Sequence, residues 1–516
     1  MLLAPVRRRP PSPIRWSRFP VVPSVLVAIA AIAVTVLLGN FTARAAVALT
    51  AVAVLTAWMF VSKRYTLTLA AYGLYLGLAD GYLKLRTGSS YVTLGRDLLL
   101  FAIVAGVVLR YATRRSKIEV PPFTGVLAFF VAYVVAQVMN PHGGSMLGAI
   151  PALRPHLAFV PLFFVGYYAV RSRERLQGLI LLLAVIAAVN GVVSYVQFNL
   201  SPTQLASWGP GYYDRLHGKG SLTGRAYYDE GGLLRTRPFG LGGDTGAGGV
   251  AGMLGFPAAC ALLVLRRRRA GFGRVLAPAL IAGAGLAIVT SQSRSALVAA
   301  AVMVAGYALL AAVSRRSIAT FLVVAVSVLG ASALLGALAG SAGSGALDRY
   351  RTVTPSSVVS TVVESRGTAL GLVPEYIKRF PFGAGLGSGG PATRQDLRPE
   401  LLDAETQFNF LVIELGLPGL LFVFGFSVAI IGLAFIAIRR APPGDVRLML
   451  AAIAAPLVGL LVTWVSQTYL ATSPAAPYYW LSSGVLAYWC VHRSGRRDQI
   501  QAAEAATEQQ PQPERS

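Results

Sequence analysis

Long apolar runs constrain this chain more than any other feature. They recur about fourteen times, approximately at 21–39, 43–62, 65–83, 91–109, 121–139, 155–170, 176–198, 247–265, 273–291, 295–313, 318–339, 408–438, 446–468 and 474–491. A helical run of ~18 residues or more crosses ~30 Å of hydrocarbon. Within lipid a backbone must satisfy its own polar groups, so such runs predict helices. The expected fold is all-α: a polytopic membrane protein with about 14 (12–14) transmembrane helices. Charged residues make up 13% of the chain, against about 25% in soluble domains. A soluble enzyme, a secreted disulfide module and a disordered chain are all disfavoured. The first run exceeds the ~7–15 apolar residues of a signal peptide and is expected to remain a span, although Ala43-Arg44-Ala45 mimics a cleavage site. Cys260 and Cys490 lie within apolar runs and read as small buried side chains.

The formal charge of +25 is explained by where the charge sits. With the N-terminus inside, 28 of the 46 basic residues fall on the inner face against seven acids, while the outer face keeps 18 bases and 14 acids. That asymmetry is the positive-inside signal, and anionic lipid head groups account for it without nucleic acid. The expected location is the bacterial cytoplasmic (inner) membrane, with both termini cytoplasmic. The chain divides into a basic N-terminal segment (1–20), N-terminal spans (21–198), an extracytoplasmic loop (199–246), central spans (247–339), a second extracytoplasmic loop (340–407), C-terminal spans (408–491) and a tail (492–516) expected to be disordered.

Long loops between short ones tend to carry function. The first interleaves Trp208, Tyr212, Tyr213, Tyr227 and Tyr228 with Arg215, Lys219, Arg225, Arg235 and Arg237. Aromatic faces stack on sugars and Arg forks bind phosphate; an interfacial aromatic belt with solvated charges is the alternative. Arg235 and Arg237 immediately precede a Gly-rich return into the membrane, where backbone can approach a ligand closely. In the second loop, 361–380 has apolar residues at helical spacing and predicts a helix along the outer surface, followed by the turn-rich PFGAGLGSGG. Acids and bases balance there at seven each, so individual residues must carry any chemistry. Arg294 falls at a predicted turn in apolar surroundings, and an ionisable residue at membrane depth is a functional candidate. Snorkelling to the interface is its bland alternative.

Metal chemistry finds little support. His142 and His156 fall in a short outer connection, His217 in the first long loop and His492 inside, with no zinc spacing among them and no Asp-x-Asp in the chain. No metal site and no cofactor is expected. Walker and Gly-x-Ser-x-Gly motifs are also absent.

Three features on the predicted outer face then fall into a known order. They are a helix start with Thr290, Ser293, Arg294 and Ala296; Arg366 followed by Pro381, Gly383, Gly385 and Gly387; and Glu414–Gly416–Gly419 opening a later span. With the upstream Arg237-Pro-Phe-Gly, this order resembles the O-antigen ligase and polysaccharide polymerase family over about 235–435. The resemblance implies a membrane glycosyltransferase that moves or polymerises a glycan from an undecaprenyl diphosphate donor onto a glycan or lipid acceptor hydroxyl, without metal. It also implies arginines on the diphosphate: Arg294 and Arg366 match motif positions, Arg237 less closely, with Arg235 beside it. Guanidiniums in a water-poor site suit a leaving group that gathers negative charge. Family members often carry His about nine residues before the E-x-G; here that position is Glu405, a carboxylate able to take a proton, with Asp403 and His217 as substitutes. Glu405 as a loop ion-pair partner or helix cap stays open. Two rivals remain: a lipid-linked oligosaccharide flippase, disfavoured by the few intramembrane charges (Asp80, Arg96, Asp97, Glu414), and a non-catalytic subunit of an envelope assembly.

Overall fold

The computed structural model describes residues 51–52, 54–62, 64–89, 91–113, 119–143, 146–217, 226–228, 232, 234–266, 273–315, 367–389, 404, 406–442 and 444–492. These residues are helical apart from loops and one small ribbon. The first elements are α1 (Tyr65–Leu74), a π turn (Tyr75–Ala79), α2 (Asp80–Thr87), α3 (Tyr91–Thr113) and α4 (Thr124–Ala136). A broken span follows, made of α5 (Met146–Ala152), α6 (Arg154–Leu157) and α7 (Pro161–Ala169). Next come α8 (Arg173–Phe198), the loop helices α9 (Pro202–Ala206) and α10 (Pro210–His217), and the antiparallel ribbon β1 (Ala226–Tyr228) and β2 (Leu234–Thr236). The remainder comprises α11 (Ala247–Arg266), α12 (Gly273–Thr290), α13 (Arg294–Arg315), α14 (Gly367–Gly371), α15 (Val373–Arg379), α16 (Gln407–Arg440), α17 (Asp445–Val462) and α18 (Ala475–Val491).

Among the described residues seven helical stretches, the broken span Ala149–Ala169 included, are long and apolar enough to cross a membrane, and two shorter apolar ones, Thr124–Met139 and Val275–Thr290, accompany them. The expected runs at 21–39 and 318–339 lie outside the described residues. Large apolar side chains stand exposed along these helices, among them Leu98 and Phe101 on α3, Phe129 on α4, Leu309 on α13, and Leu421 and Val428 on α16. A belt of that kind is stable only against a solvent as apolar as itself. The chain is a multi-pass membrane protein.

Small residues set the packing between helices. A side chain at Gly191 of α8 would overlap the Gly283 carbonyl of α12, and one at Gly484 of α18 would overlap the Phe163 carbonyl of α7. Lipid tails are as apolar as leucine, so membrane helices associate through such close backbone approach. Helix α11 sits at the centre, with 89% of its spanning window buried.

Contacts between connections sort into two ends. At one end Glu119 pairs with Arg171 and His492, and Arg173 pairs with Asp445. At the other end Arg86 donates to the Trp208 carbonyl, Asn140 to the Gly383 carbonyl and Leu470 N to Gln407. The alternation expected from charge puts the first group inside and the second outside.

The single surface helix expected over 361–380 is corrected for its described part. Residues 367–379 form two short helices broken at Leu372, next to Pro374. Proline tolerates only a first turn, so a new helix starts there. Tyr376 and Ala369 are buried; Tyr376 packs on Val412 and Ile413, so the pair lies against α16.

Candidate functional site

The first long loop is pinned to the bundle by two buried amides of α8. Gln197 Oε1 accepts from Phe239 N and Gly240 N, both at 2.8 Å, and its Nε2 donates to the Gly240 carbonyl at 2.9 Å. Asn190 Oδ1 accepts from Leu241 N at 2.9 Å, while its Nδ2 donates to the Gly77 carbonyl in the π turn at 2.9 Å. A π turn leaves backbone groups without their usual helical partners, and Asn190 supplies one. The segment after Arg237 is thereby held in place from both sides.

Beyond it the chain turns into α11 directly against the Arg294 motif. Gly246 lies beside Ser293, with 3.9 Å between the Ser293 Cβ and the point where a Gly246 side chain would begin. A side chain on Gly249 would meet Ser291 at 2.5–2.6 Å, so only glycine permits this seat. The α12–α13 corner is tight: Gln292 is buried and holds a φ of 55°, uncommon for a residue with a side chain. Arg294 is the first residue of α13 and is exposed at the corner. Ser295 next to it lies beside the Tyr469 hydroxyl, and the neighbouring Leu470 N donates to Gln407 Oε1 of α16 at 3.1 Å. The Arg294 turn, the Gly-rich return and the start of α16 thus share one end of the bundle.

At α16 the third motif acquires a structural meaning. Thr406 caps the helix by accepting from Asn409 N at 3.1 Å, and Asn409 Nδ2 donates to the Ala369 carbonyl of α14 at 2.7 Å. Ten residues after Thr406, Gly416 breaks the helix with φ 66° and ψ −168°. The carbonyls and the amide set free are taken up by the Gly-rich segment and by α4. Ala384 N donates to the Ile413 carbonyl at 2.7 Å, Tyr133 Oη to the Leu415 carbonyl at 2.6 Å, and Leu417 N to the Pro381 carbonyl at 3.0 Å. Gln137 Nε2 and Asn140 Nδ2 hold the segment from outside, donating to the Phe382 and Gly383 carbonyls at 2.8 and 2.9 Å. Broken helix at membrane depth is tolerated only where protein surrounds it, and residues 409–416 are all buried.

Glu414 lies fully buried within that clasp. Its Oε2 is 2.7 Å from His156 Nε2. The His156 ring stacks on Phe410 at 4.9 Å. His156 is therefore a correction to the sequence reading. It is a buried residue of α6 inside a broken span, because Glu414 and Phe410 give its ring both a polar and an apolar partner. Arg154 sits beside it and joins a second, partly buried set. Arg154 bonds Asp97 at 2.7 Å, Asp97 bonds Arg96 at 3.0 Å, and Arg96 reaches Asp80 at 3.4 Å, with the Phe159 ring 4.8 Å from the Arg96 guanidinium. The few intramembrane charges are thus paired with one another and tie α2, α3 and α6 together.

The residues expected to act fall as follows. Arg366, Asp403 and Glu405 lie outside the described residues. Arg235 lies in β2 opposite Tyr227, and Arg237 follows it into the pinned segment. Arg235, Arg237 and Arg294 all have interaction partners within the protein. His217 ends α10, is exposed, and stacks on Tyr213 at 4.6 Å. Tyr212 is corrected from a sugar-stacking surface ring to a core residue: it is buried edge-on against Phe239 and Trp208, and burial raises its hydroxyl pKa. Tyr213 keeps an exposed face. Among the described residues, no group of three or more His, Cys, Asp or Glu is arranged to hold a metal. Comparison of the chain with family models, with characterised proteins and with solved structures finds no match.

Proposed function

We propose that this protein is a membrane glycosyltransferase of the O-antigen ligase and polymerase kind, working at the outer end of a fourteen-span bundle with both termini cytoplasmic. The observation that carries the reading is shared position: the glycine-rich return after Arg237 touches the Arg294 corner at Gly246–Ser293, and Leu470 N donates to Gln407 at the start of α16, the helix that carries Glu414. In this reading Arg294, Arg366 and Arg237, with Arg235, hold the diphosphate of an undecaprenyl diphosphate-linked glycan. The acceptor hydroxyl attacks the anomeric carbon, the bond from that carbon to the phosphate oxygen breaks, and the diphosphate leaves with the electron pair. Glu405 takes the acceptor proton, with Asp403 and His217 as further candidates. Charge gathers on the departing diphosphate, and fixed guanidiniums in a water-poor site stabilise it. The donor's isoprenoid tail explains why the site is built at the ends of spans.

The deciding experiment incubates purified full-length protein with undecaprenyl diphosphate oligosaccharide and reads product length. Lengthened chains indicate a polymerase, and a single transfer to an added acceptor indicates a ligase. Arg294→Ala and Arg366→Ala should lower the rate by about 100-fold or more, as for loss of a group acting on transition-state charge. Translocation of the lipid in liposomes without any transfer would replace the reading with a flippase.

A further inference from the structure

Lys84 is a basic residue that the proposed reaction has not used. It lies on α2, just past the buried Asp80, and its side chain is half-buried. The tail of Lys84 runs over the first-loop turn: its Cδ is 3.8 Å from where a side chain on Gly243 would begin. A side chain on Gly81, one turn earlier, would overlap Gly242 and Gly243, so helix and turn are in direct contact. From the other side α10 packs on α2 through Gly209 and Gly211, which sit against the Arg86 and Leu85 backbone. That packing brings Arg215 to the same turn, where its Nη1 is 3.5 Å from Asp244 Oδ2. Leu85, Leu216, Tyr212 and Phe239 form the shared apolar base.

The electrostatics of this corner are unbalanced. Asp80 pairs with Arg96 while also attracting Lys84, Asp244 faces Arg215, and among the described residues Lys84 closes no ion pair of its own. Burial, and next the Arg215 guanidinium, hold Lys84 below the ordinary lysine range. Asp244 offsets the Arg215 charge, and a partly desolvated lysine brought to the same turn gains from a further anion. Gly242 is packed against Gly81 and Ala247, whereas Gly243, with no side chain and nothing closer than 3.8 Å to where one would begin, lets phosphate oxygens approach the turn beside Lys84. The same turn continues through Gly246 to the Ser293–Arg294 corner.

We propose that Lys84 and Arg215, converging on the Gly242–Gly243–Asp244 turn, form an anion subsite for a phosphate-bearing group at the outer membrane surface. The existence of the subsite stands on this geometry alone; its assignment to the diphosphate of the glycan donor rests on the proposed function.

The test uses purified full-length protein in detergent and measures binding of three probes: inorganic diphosphate, undecaprenyl diphosphate, and vesicles of phosphatidylglycerol. Lys84→Gln and Arg215→Gln should each weaken undecaprenyl diphosphate binding about tenfold, the effect of one charge-assisted contact, whereas Lys84→Arg should stay within about threefold. Bound ligand should also protect Lys84 from amine acylation, read by mass spectrometry, which a merely structural lysine would not show. Protection by both diphosphates identifies the diphosphate as the bound group. Protection by phosphatidylglycerol alone assigns the same subsite to a lipid head group. Unchanged affinity in Lys84→Gln together with unprotected acylation overturns the proposal, whether or not the protein transfers glycan. Weakened binding in a protein without transfer activity leaves the subsite standing and removes the enzymatic reading.

Discussion

His156 and Glu414 stand 258 positions apart in the chain and 2.7 Å apart in the fold. Glu414 was visible in the sequence as part of a motif, but nothing local to His156 distinguishes it from a loop histidine. Removing one partner of a buried polar pair leaves the other uncompensated, so Glu414→Ala and His156→Ala should each destabilise the protein by about 3–5 kcal/mol. The double change His156→Phe with Glu414→Leu should recover a large part of that loss, because neither buried polar group remains. Thermal unfolding of the detergent-solubilised variants checks both, and additive losses would show that the pair is not coupled. The Arg96 set behaves in the same way. Arg96→Met leaves Asp80 buried without its partner and should lower the unfolding midpoint more than Arg86→Met at an exposed position.

Helix α16 has 34 residues, about 51 Å at ~1.5 Å per residue, which exceeds the ~30 Å of hydrocarbon. The kink at Gly416 resolves the mismatch by turning its first residues into a buried piece of the loop assembly, while Leu421 and Val428 beyond it face lipid. A Gly416→Ala side chain would overlap Gly383 N and the Pro381 carbonyl at a left-handed φ. The expected outcome is an opened clasp, seen as faster hydrogen exchange across 381–389 with the exchange of α17 unchanged. At the helix interfaces, Gly283→Leu should abolish accumulation of folded protein, since α8 cannot move away from α12 without parting from α11 as well. Fluorescence-detected size-exclusion chromatography would show it. These elements were readable in outline, because run length and hydropathy report directly on spanning helices. The π turn, the break at Leu372 and the kink at Gly416 were not, because each depends on partners such as Asn190, Val412 and Tyr133 contributed from other helices.

For the whole molecule, sidedness is the property to measure. Single cysteines at Tyr213 and Phe382, both exposed, should react with an impermeant maleimide added to intact cells, and cysteines at Glu119 and Asp445 should react only after permeabilisation. Reaction of Glu119→Cys in intact cells would invert the topology and remove the outer site with it. The native Cys260 and Cys490 are buried and give a low background. The sequence alone determined that this chain carries helices apolar enough to cross a membrane and, among the described residues, roughly where those long helices lie. Those properties follow from transfer energies and charge placement, which add up locally along a chain. Only the tertiary structure decided that Tyr212 belongs to a core, that the intramembrane charges pair, that His156 meets Glu414, and that Lys84 and Arg215 converge on one glycine turn. Each depends on which backbones can approach closely enough to touch, and that is set by small residues on several helices at once.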